Sequence, residues 1–217
     1  ITQFRHLTIS DGLPNNTIHA IYQDSQGFMW FGTDDGLSRY DGYQFITYKQ
    51  DQDNPDTMNS NQVVAIYEDA AGNLWIGTRG GNLNLFNPQT ETFTDFDSVS
   101  DDPNVATLGD VMAVSPDNQG NIWVGGPPRT GLARFSQQAE TWVRYQAEVD
   151  FPPSETTDIA ADEMGNVWVA TKRNLLRWQQ EEFYIYATPE ADGGFNAILQ
   201  DMNEQVWIGG PAGLYLY

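Results

Sequence analysis

Short apolar runs of four to six residues, each closed by a turn rich in Asp and Gly, recur along this chain. Ile18-His19-Ala20-Ile21-Tyr22-Gln23 has the composition of a short strand. It leads into Asp24-Ser25-Gln26-Gly27, where Asp can bond the backbone two residues on and Gly supplies a positive φ. Phe28-Met29-Trp30-Phe31 predicts a second strand, ended by Gly32-Thr33-Asp34-Asp35-Gly36. Leu37-Ser38-Arg39-Tyr40 predicts a third, followed by the hairpin signal Asp41-Gly42, and Phe45-Ile46-Thr47-Tyr48 a fourth. Four short strands joined by tight turns make one antiparallel unit.

That unit repeats five times. Trp30, Trp75, Trp123, Trp168 and Trp207 each follow an aspartate six residues earlier: Asp24, Asp69, Asp117, Asp162 and Asp201. Glycine stands three before the tryptophan in four copies, and Glu204 replaces it in the last. The tryptophans are 45, 48, 45 and 39 residues apart, the period of a β-propeller blade. The third strand repeats Leu-x-x-aromatic, from Leu37/Tyr40 to Leu214/Tyr217. The fourth repeats aromatic-x-x-aromatic at Phe45/Tyr48, Phe93/Phe96, Trp142/Tyr145 and Phe183/Tyr186. The expected fold is all-β: a single propeller domain over residues 1–217, with five four-stranded blades. Each buried ring removes about 150–250 Å² from water. At about 25 cal/mol per Å², one tryptophan supplies roughly 4–6 kcal/mol as an upper bound.

The two ends bear on how the ring closes. The fifth repeat stops at Tyr217, after its third strand, while Phe4-Arg5-His6-Leu7 precedes the first repeat and fits the fourth-strand pattern with Leu7 for an aromatic. The N-terminal strand is therefore expected to complete the C-terminal blade, closing the ring without a free edge. The start at Ile1 rather than methionine fits a processed or excised segment, and a piece cut from a longer array would show the same pattern.

Composition narrows the partners. The formal charge is −20, so DNA and anionic membranes are repelled by this surface. The chain contains no cysteine, which excludes disulfides, thiolate catalysis and Cys-ligated zinc but leaves the compartment open. It also has no apolar run long enough to span a bilayer. No cofactor is implied.

Two stretches, Asp24-Ser25-Gln26-Gly27-Phe28-Met29-Trp30-Phe31-Gly32-Thr33 and Glu68-Asp69-Ala70-Ala71-Gly72-Asn73-Leu74-Trp75-Ile76-Gly77-Thr78, resemble the two-component regulator propeller repeat, as does Asp11-Gly12-Leu13-Pro14-Asn15-Asn16 before them. The resemblance is strongest over residues 4–96. It departs at Val124-Gly125-Gly126-Pro127-Pro128, at Ala170, and at Glu204 with Gly209-Gly210. It implies an extracytoplasmic sensor, periplasmic or extracellular, of a bacterial receptor that continues into a transmembrane helix and a histidine kinase or diguanylate cyclase. Longer arrays are usual in that family, so five blades is a departure. The turns Gly72-Asn73, Gly120-Asn121 and Gly165-Asn166 also resemble those of the streptogramin lyase propellers, which are enzymes.

Candidate chemistry is sparse. The five motif aspartates occupy equivalent turns, so turn capping is the expected role and a catalytic pair among them is not. His19 alone stands where a base is needed, and its counterparts are Val64, Met112, Thr157 and Asn196. Asp51 to Asp56 and Asp97 to Asp102 are acidic but lack the glycine and distal glutamate of a calcium loop, and no metal site is assigned. The loops between second and third strands carry Arg79, Arg129, Lys172 and Arg173, four of the ten basic residues. Equivalent loops share one face, so these residues, with His19, Asn16, Asn61 and Asn196, are expected to bind a polar or anionic ligand such as a glycan fragment. The plainer expectation is that they balance Asp34, Asp35 and Asp110. A non-catalytic sensor leads. A propeller lyase or hydrolase and a lectin-like module are the alternatives, and a homodimer or another protein partner is compatible with each.

Overall fold

The motif aspartate explains why each repeat folds. In the computed structural model, one carboxylate oxygen of Asp24 accepts the backbone N–H groups of Gln26 and Phe28. The other accepts the indole Nε1–H of Trp30 at 2.7 Å. The same indole bond recurs from Trp75 to Asp69, Trp123 to Asp117, Trp168 to Asp162 and Trp207 to Asp201, at 2.8–3.1 Å. The six-residue spacing is therefore a ring of contacts: the turn is capped, and the large ring leaving it has its one donor satisfied before burial.

The structure describes residues 4–96, 108–145, 150–186 and 193–217. They form five antiparallel sheets, the blades of the β-propeller fold, and one short 3-10 turn at Ile9–Asp11. Two compact units divide the chain, Ile1–Val99 and Ser100–Tyr217.

The first unit holds two blades: β1 (Ile18–Gln23), β2 (Met29–Thr33), β3 (Gly36–Tyr40) and β4 (Phe45–Tyr48), then β5 (Val63–Glu68), β6 (Leu74–Thr78), β7 (Leu83–Asn87) and β8 (Thr92–Asp95). Strand order follows the sequence in both. Trp30 is fully buried against Met58, Val63, Leu74, Ile76 and Phe86 of the next repeat, with its ring 5.5 Å from that of Phe86. The loop at 49–62 is held by its own contacts. Met58 is buried, Gln50 N–H donates to Asn61 Oδ1, and Asp51 N–H donates to Thr57 Oγ1.

The second unit holds three: β9 (Ala113–Pro116), β10 (Asn121–Gly125), β11 (Leu132–Ser136) and β12 (Thr141–Tyr145); β13 (Thr156–Ala161), β14 (Val167–Thr171), β15 (Leu175–Gln179) and β16 (Glu182–Tyr186); and β17 (Ala197–Gln200), β18 (Val206–Gly210) and β19 (Gly213–Leu216). Trp123 packs on Trp178 of the following blade at 5.7 Å, and Trp168 on Tyr217 at 4.8 Å. Blade interfaces thus reuse one arrangement: the tryptophan of one repeat meets the third-strand aromatic of the next.

An arginine reinforces it. Arg39, Arg134 and Arg177 each lie over their own blade's tryptophan at 5.4–5.8 Å, a cation–π distance. Each also reaches the next repeat: Arg39 to Glu91 at 3.5 Å, Arg134 to Glu181 at 3.4 Å, and Arg177 Nη1 donating to Tyr217 Oη at 2.8 Å.

One expected strand is not formed. Phe4–Leu7 has no strand pairing, and among the described residues the fifth sheet has three strands, β17-β18-β19. Phe4 is 99% exposed. Thr8 instead starts a capped 3-10 turn, donating its N–H and hydroxyl to Asp11 while Leu13 N–H returns to Thr8 O. That turn and a segment with Arg5, His6 and a single apolar anchor at Leu7 outweigh the fourth-strand pattern.

Candidate functional site

A bulge aims His19. The β1–β2 register shifts between Ile18 and Ala20, β5–β6 between Val63 and Ala65, and β13–β14 between Thr156 and Asp158. The extra residues are His19, Val64 and Thr157, and a bulged residue leaves the regular alternation of faces. His19 Nε2 comes within 2.7 Å of Asp34 Oδ1 at the turn between β2 and β3. That hydrogen bond holds the Asp34 carboxyl below its ordinary value, and the His19 charge, the Thr17 hydroxyl and the Arg79 guanidinium lower it further. Next to it, Lys49 pairs with Asp35 at 2.6 Å. The first unit therefore sets His19 on the Asp34 carboxylate, with the Arg79 charge adding a small lowering effect.

The asparagines of that unit brace loops. Asn16 Oδ1 accepts the N–H of Ile9 at 3.0 Å. Asn61 accepts Gln50 N–H on its side chain and Gly36 N–H on its backbone carbonyl, tying the loop after β4 to the turn after β2.

In the second unit, Lys172 and Arg173 occupy the turn after β14. Lys172 N–H donates to Glu155 O at 3.0 Å, and its ammonium lies 3.8 Å from the Glu155 carboxylate. Phe195 N–H donates to Thr171 O, which sets Asn196 beside this turn. Gly194 makes the approach possible: its φ is +73°, and a Cβ there would collide with the Lys172 backbone. Arg129 stands apart from that group, 3.8 Å from Asp110. Lys172 and Arg129 thus each face a carboxylate of their own, as the charge-balance expectation has it for Arg129 and Asp110.

Asp158 was not anticipated by sequence. It occupies the strand position where the other repeats carry Ala20, Ala65, Ala113 and Ala197. Its carboxylate accepts the N–H of Ile159 at 2.9 Å and that of Ile198, on the next blade, at 2.8 Å. Burial pushes its carboxyl up from the ordinary value, against the lowering effect of those two bonds. An acid with a raised folded pKa stabilises the fold fully below its unfolded value near 3.8 and loses that contribution as pH rises through the folded value. Asp158→Asn, which does not titrate, should therefore gain stability relative to the parent from pH 4 towards neutrality. Denaturant midpoints of both proteins across that range check it, and a pH-independent difference would refute it.

Among the described residues, no three His, Asp or Glu side chains come together as a metal site. Asp97 to Asp102 lie outside the described residues.

The description "two component regulator propeller" matches residues 12–35 and 57–80. A relative named histidine kinase P4, from Formosa agariphila, is 39% identical over 57 residues, which is 26% of this chain and 4% of that protein. A solved structure described as the extracellular domain of a hybrid two component system from B. thetaiotaomicron is 28% identical. It aligns over 98% of this chain with a TM-score of 0.84. This chain spans only 30% of that one. Virginiamycin B lyase from Staphylococcus aureus shares the fold alone, at 11% identity and TM-score 0.71 over 93% of this chain and 69% of the enzyme. Asp-to-Trp turns recur in all five blades, and over residues 12–35 and 57–80 the chain is similar to the two component regulator propeller repeat.

Proposed function

We propose that this chain is a non-catalytic, extracytoplasmic sensing module of a bacterial signalling receptor, and that it binds a small polar or anionic ligand. The observation that carries the reading is the likeness to the extracellular domain of a hybrid two component system, which runs through 98% of the chain. Among the described residues, no helix is long and apolar enough to cross a membrane.

Two places carry the ligand contacts. One is the Asp34 carboxylate with His19 and Arg79 in the first unit, and the other is Lys172, Arg173 and Asn196 in the second. Arg79 and Arg173 are exposed and their guanidinium groups suit a carboxylate-bearing glycan fragment. His19 favours a second reading, a lyase or hydrolase, because its contact with Asp34 is a hydrogen-bonded acid–base pair. Against it, no other repeat offers a titratable group at the same strand position except through the neighbouring Asp158.

The melting temperature of the purified chain, measured against a panel of uronates and neutral glycans, tests the reading. A rise with a uronate that Arg79→Glu or Arg173→Glu abolishes supports it, whereas a rise that both variants retain removes these sites. Turnover of a panel member that His19→Ala abolishes would favour the enzyme instead.

A further inference from the structure

Strands β2, β6 and β14 end on buried threonines, Thr33, Thr78 and Thr171, and the residue after each one differs in charge. Each threonine hydroxyl donates to a carbonyl across its turn, Gly36 O, Asn82 O and Asn174 O. The next residue is Asp34 in the first blade, Arg79 in the second and Lys172 in the fourth. One residue before the inner strand of the same blade stand Thr17, Gln62 and Glu155. In the fourth blade the turn supplies the cation and the inner strand the carboxylate, Lys172 with Glu155. In the first blade the signs are exchanged: the turn supplies the carboxylate, and His19 meets it from the inner strand.

The inner-strand side is built to receive an anion. An ionised carboxylate only accepts hydrogen bonds, so His19 Nε2 is the donor in the 2.7 Å contact with Asp34. The bulge between Ile18 and Ala20 places this ring, whereas the bulged residues of β5 and β13, Val64 and Thr157, carry no charge. The Thr17 hydroxyl is a second donor to Asp34. The hydrogen bond from His19 does most to hold the Asp34 carboxyl below its ordinary value.

The turn that carries Asp34 is fixed, but the carboxylate itself is within reach of solvent. Asp35 N–H donates to Thr33 Oγ1, and Gly36 N–H donates to Asn61 O. Gly36 has a φ of +126°, and a Cβ there would lie 2.7 Å from Tyr48 O, so the backbone has no room to shift towards β4. Asp35 is held separately by Lys49. The His19 and Asp34 side chains are 23% and 34% exposed. An ion pair this open contributes little to stability, so a carboxylate arriving from solvent can replace Asp34 by rotation of one short side chain.

We propose that Asp34 is a built-in stand-in for a ligand carboxylate: it takes the donors of His19 and Thr17, and an anionic ligand binds the first unit by displacing it. The inference rests on the sensing reading above and adds that this site is self-inhibited. Asp34 then acts as a charge selector. It competes for the two donors and repels an incoming carboxylate, while a neutral sugar meets neither obstacle.

The probe is glucuronate, with glucose as its neutral counterpart, titrated into the intact chain while the His19 imidazole resonances are followed by NMR. The chain has two histidines, so His6→Gln assigns them. Asp34→Ala, and Asp34→Asn, which keeps the shape without the charge, should each bind glucuronate at least about fivefold more tightly than the parent. Affinity for glucose should not change. Adding His19→Ala to Asp34→Ala should remove the gain, because the gain comes from this donor and not from one fewer negative charge on the chain. Equal or weaker glucuronate binding by both Asp34 variants overturns the proposal, and so does a gain that survives without His19. No shift of the His19 resonances in either variant up to about 10 mM glucuronate overturns it as well. The sensing reading is judged separately, by the melting temperature of the parent across the ligand panel.

Discussion

Trp123→Ala should cost about 3–5 kcal/mol of folding stability, the range for truncating a fully buried aromatic. The ring is 0% exposed, stacked at 5° on Tyr145 and tilted against Trp178. The Asp117 carboxylate also loses its indole donor. A domain with a total of about 5–15 kcal/mol would be near its unfolding threshold. Trp207→Ala occupies the same motif position but removes a ring that is only partly buried, so about 2 kcal/mol or less is expected. Denaturant unfolding of the two variants, followed by far-ultraviolet circular dichroism, separates them. Equal losses would mean that the five tryptophans hold their own turns rather than the packing between blades.

That contrast shows what in the fold could be read from sequence. The period of the tryptophans, the four strands per repeat and the Gly/Asp turns are local features, and the strands form within a residue or two of their expected ends. The interlocking of blades was less visible, although it has a signal. Leu37-Ser38-Arg39-Tyr40, Leu132-Ala133-Arg134-Phe135 and Leu175-Leu176-Arg177-Trp178 share Leu-x-Arg-aromatic, and the arginine in each joins its own tryptophan to the next repeat. Leu85 and Leu216 stand at that place in the other two copies. Phe4–Leu7 misled because a strand pattern states what a segment can pair with, not whether the edge it needs outcompetes a capped turn formed by its own neighbours.

The candidate site was legible in its residue types and not in its grouping. His19 reaches Asp34 from the residue that a bulge inserts in β1, and a register shift leaves no mark on composition. Arg129 and Lys172 each find a carboxylate brought in by a different loop, Asp110 and Glu155, so a pooled basic surface could not be inferred from counting cations. Asp158 is the one acid at a position that the other repeats fill with alanine. Its role became visible only when Ile198 of the next blade was seen to donate to it.

Asp162→Ala tests the motif itself. The Asp162 side chain accepts the backbone N–H of Asn166 at 2.8 Å, the Asn166 amide at 2.7 Å and the Trp168 indole at 2.9 Å, with only 7% of the residue exposed. Removing it strands three donors away from water, and each buried orphan costs about 1–3 kcal/mol, so a loss of about 3–5 kcal/mol is expected after partial relaxation. Asp201→Ala, at a more open turn whose donors can turn to water, should cost distinctly less. Trp168→Phe keeps a ring and deletes the indole donor, which makes a double-mutant cycle possible. If the aspartate stabilises by satisfying the indole, Asp162→Ala will be milder in the Trp168→Phe background, with a coupling of about 1 kcal/mol or more. Additivity within about 0.3 kcal/mol would instead assign the aspartate to the turn alone. The six-residue spacing shared by all five blades would then reflect strand length rather than a bond.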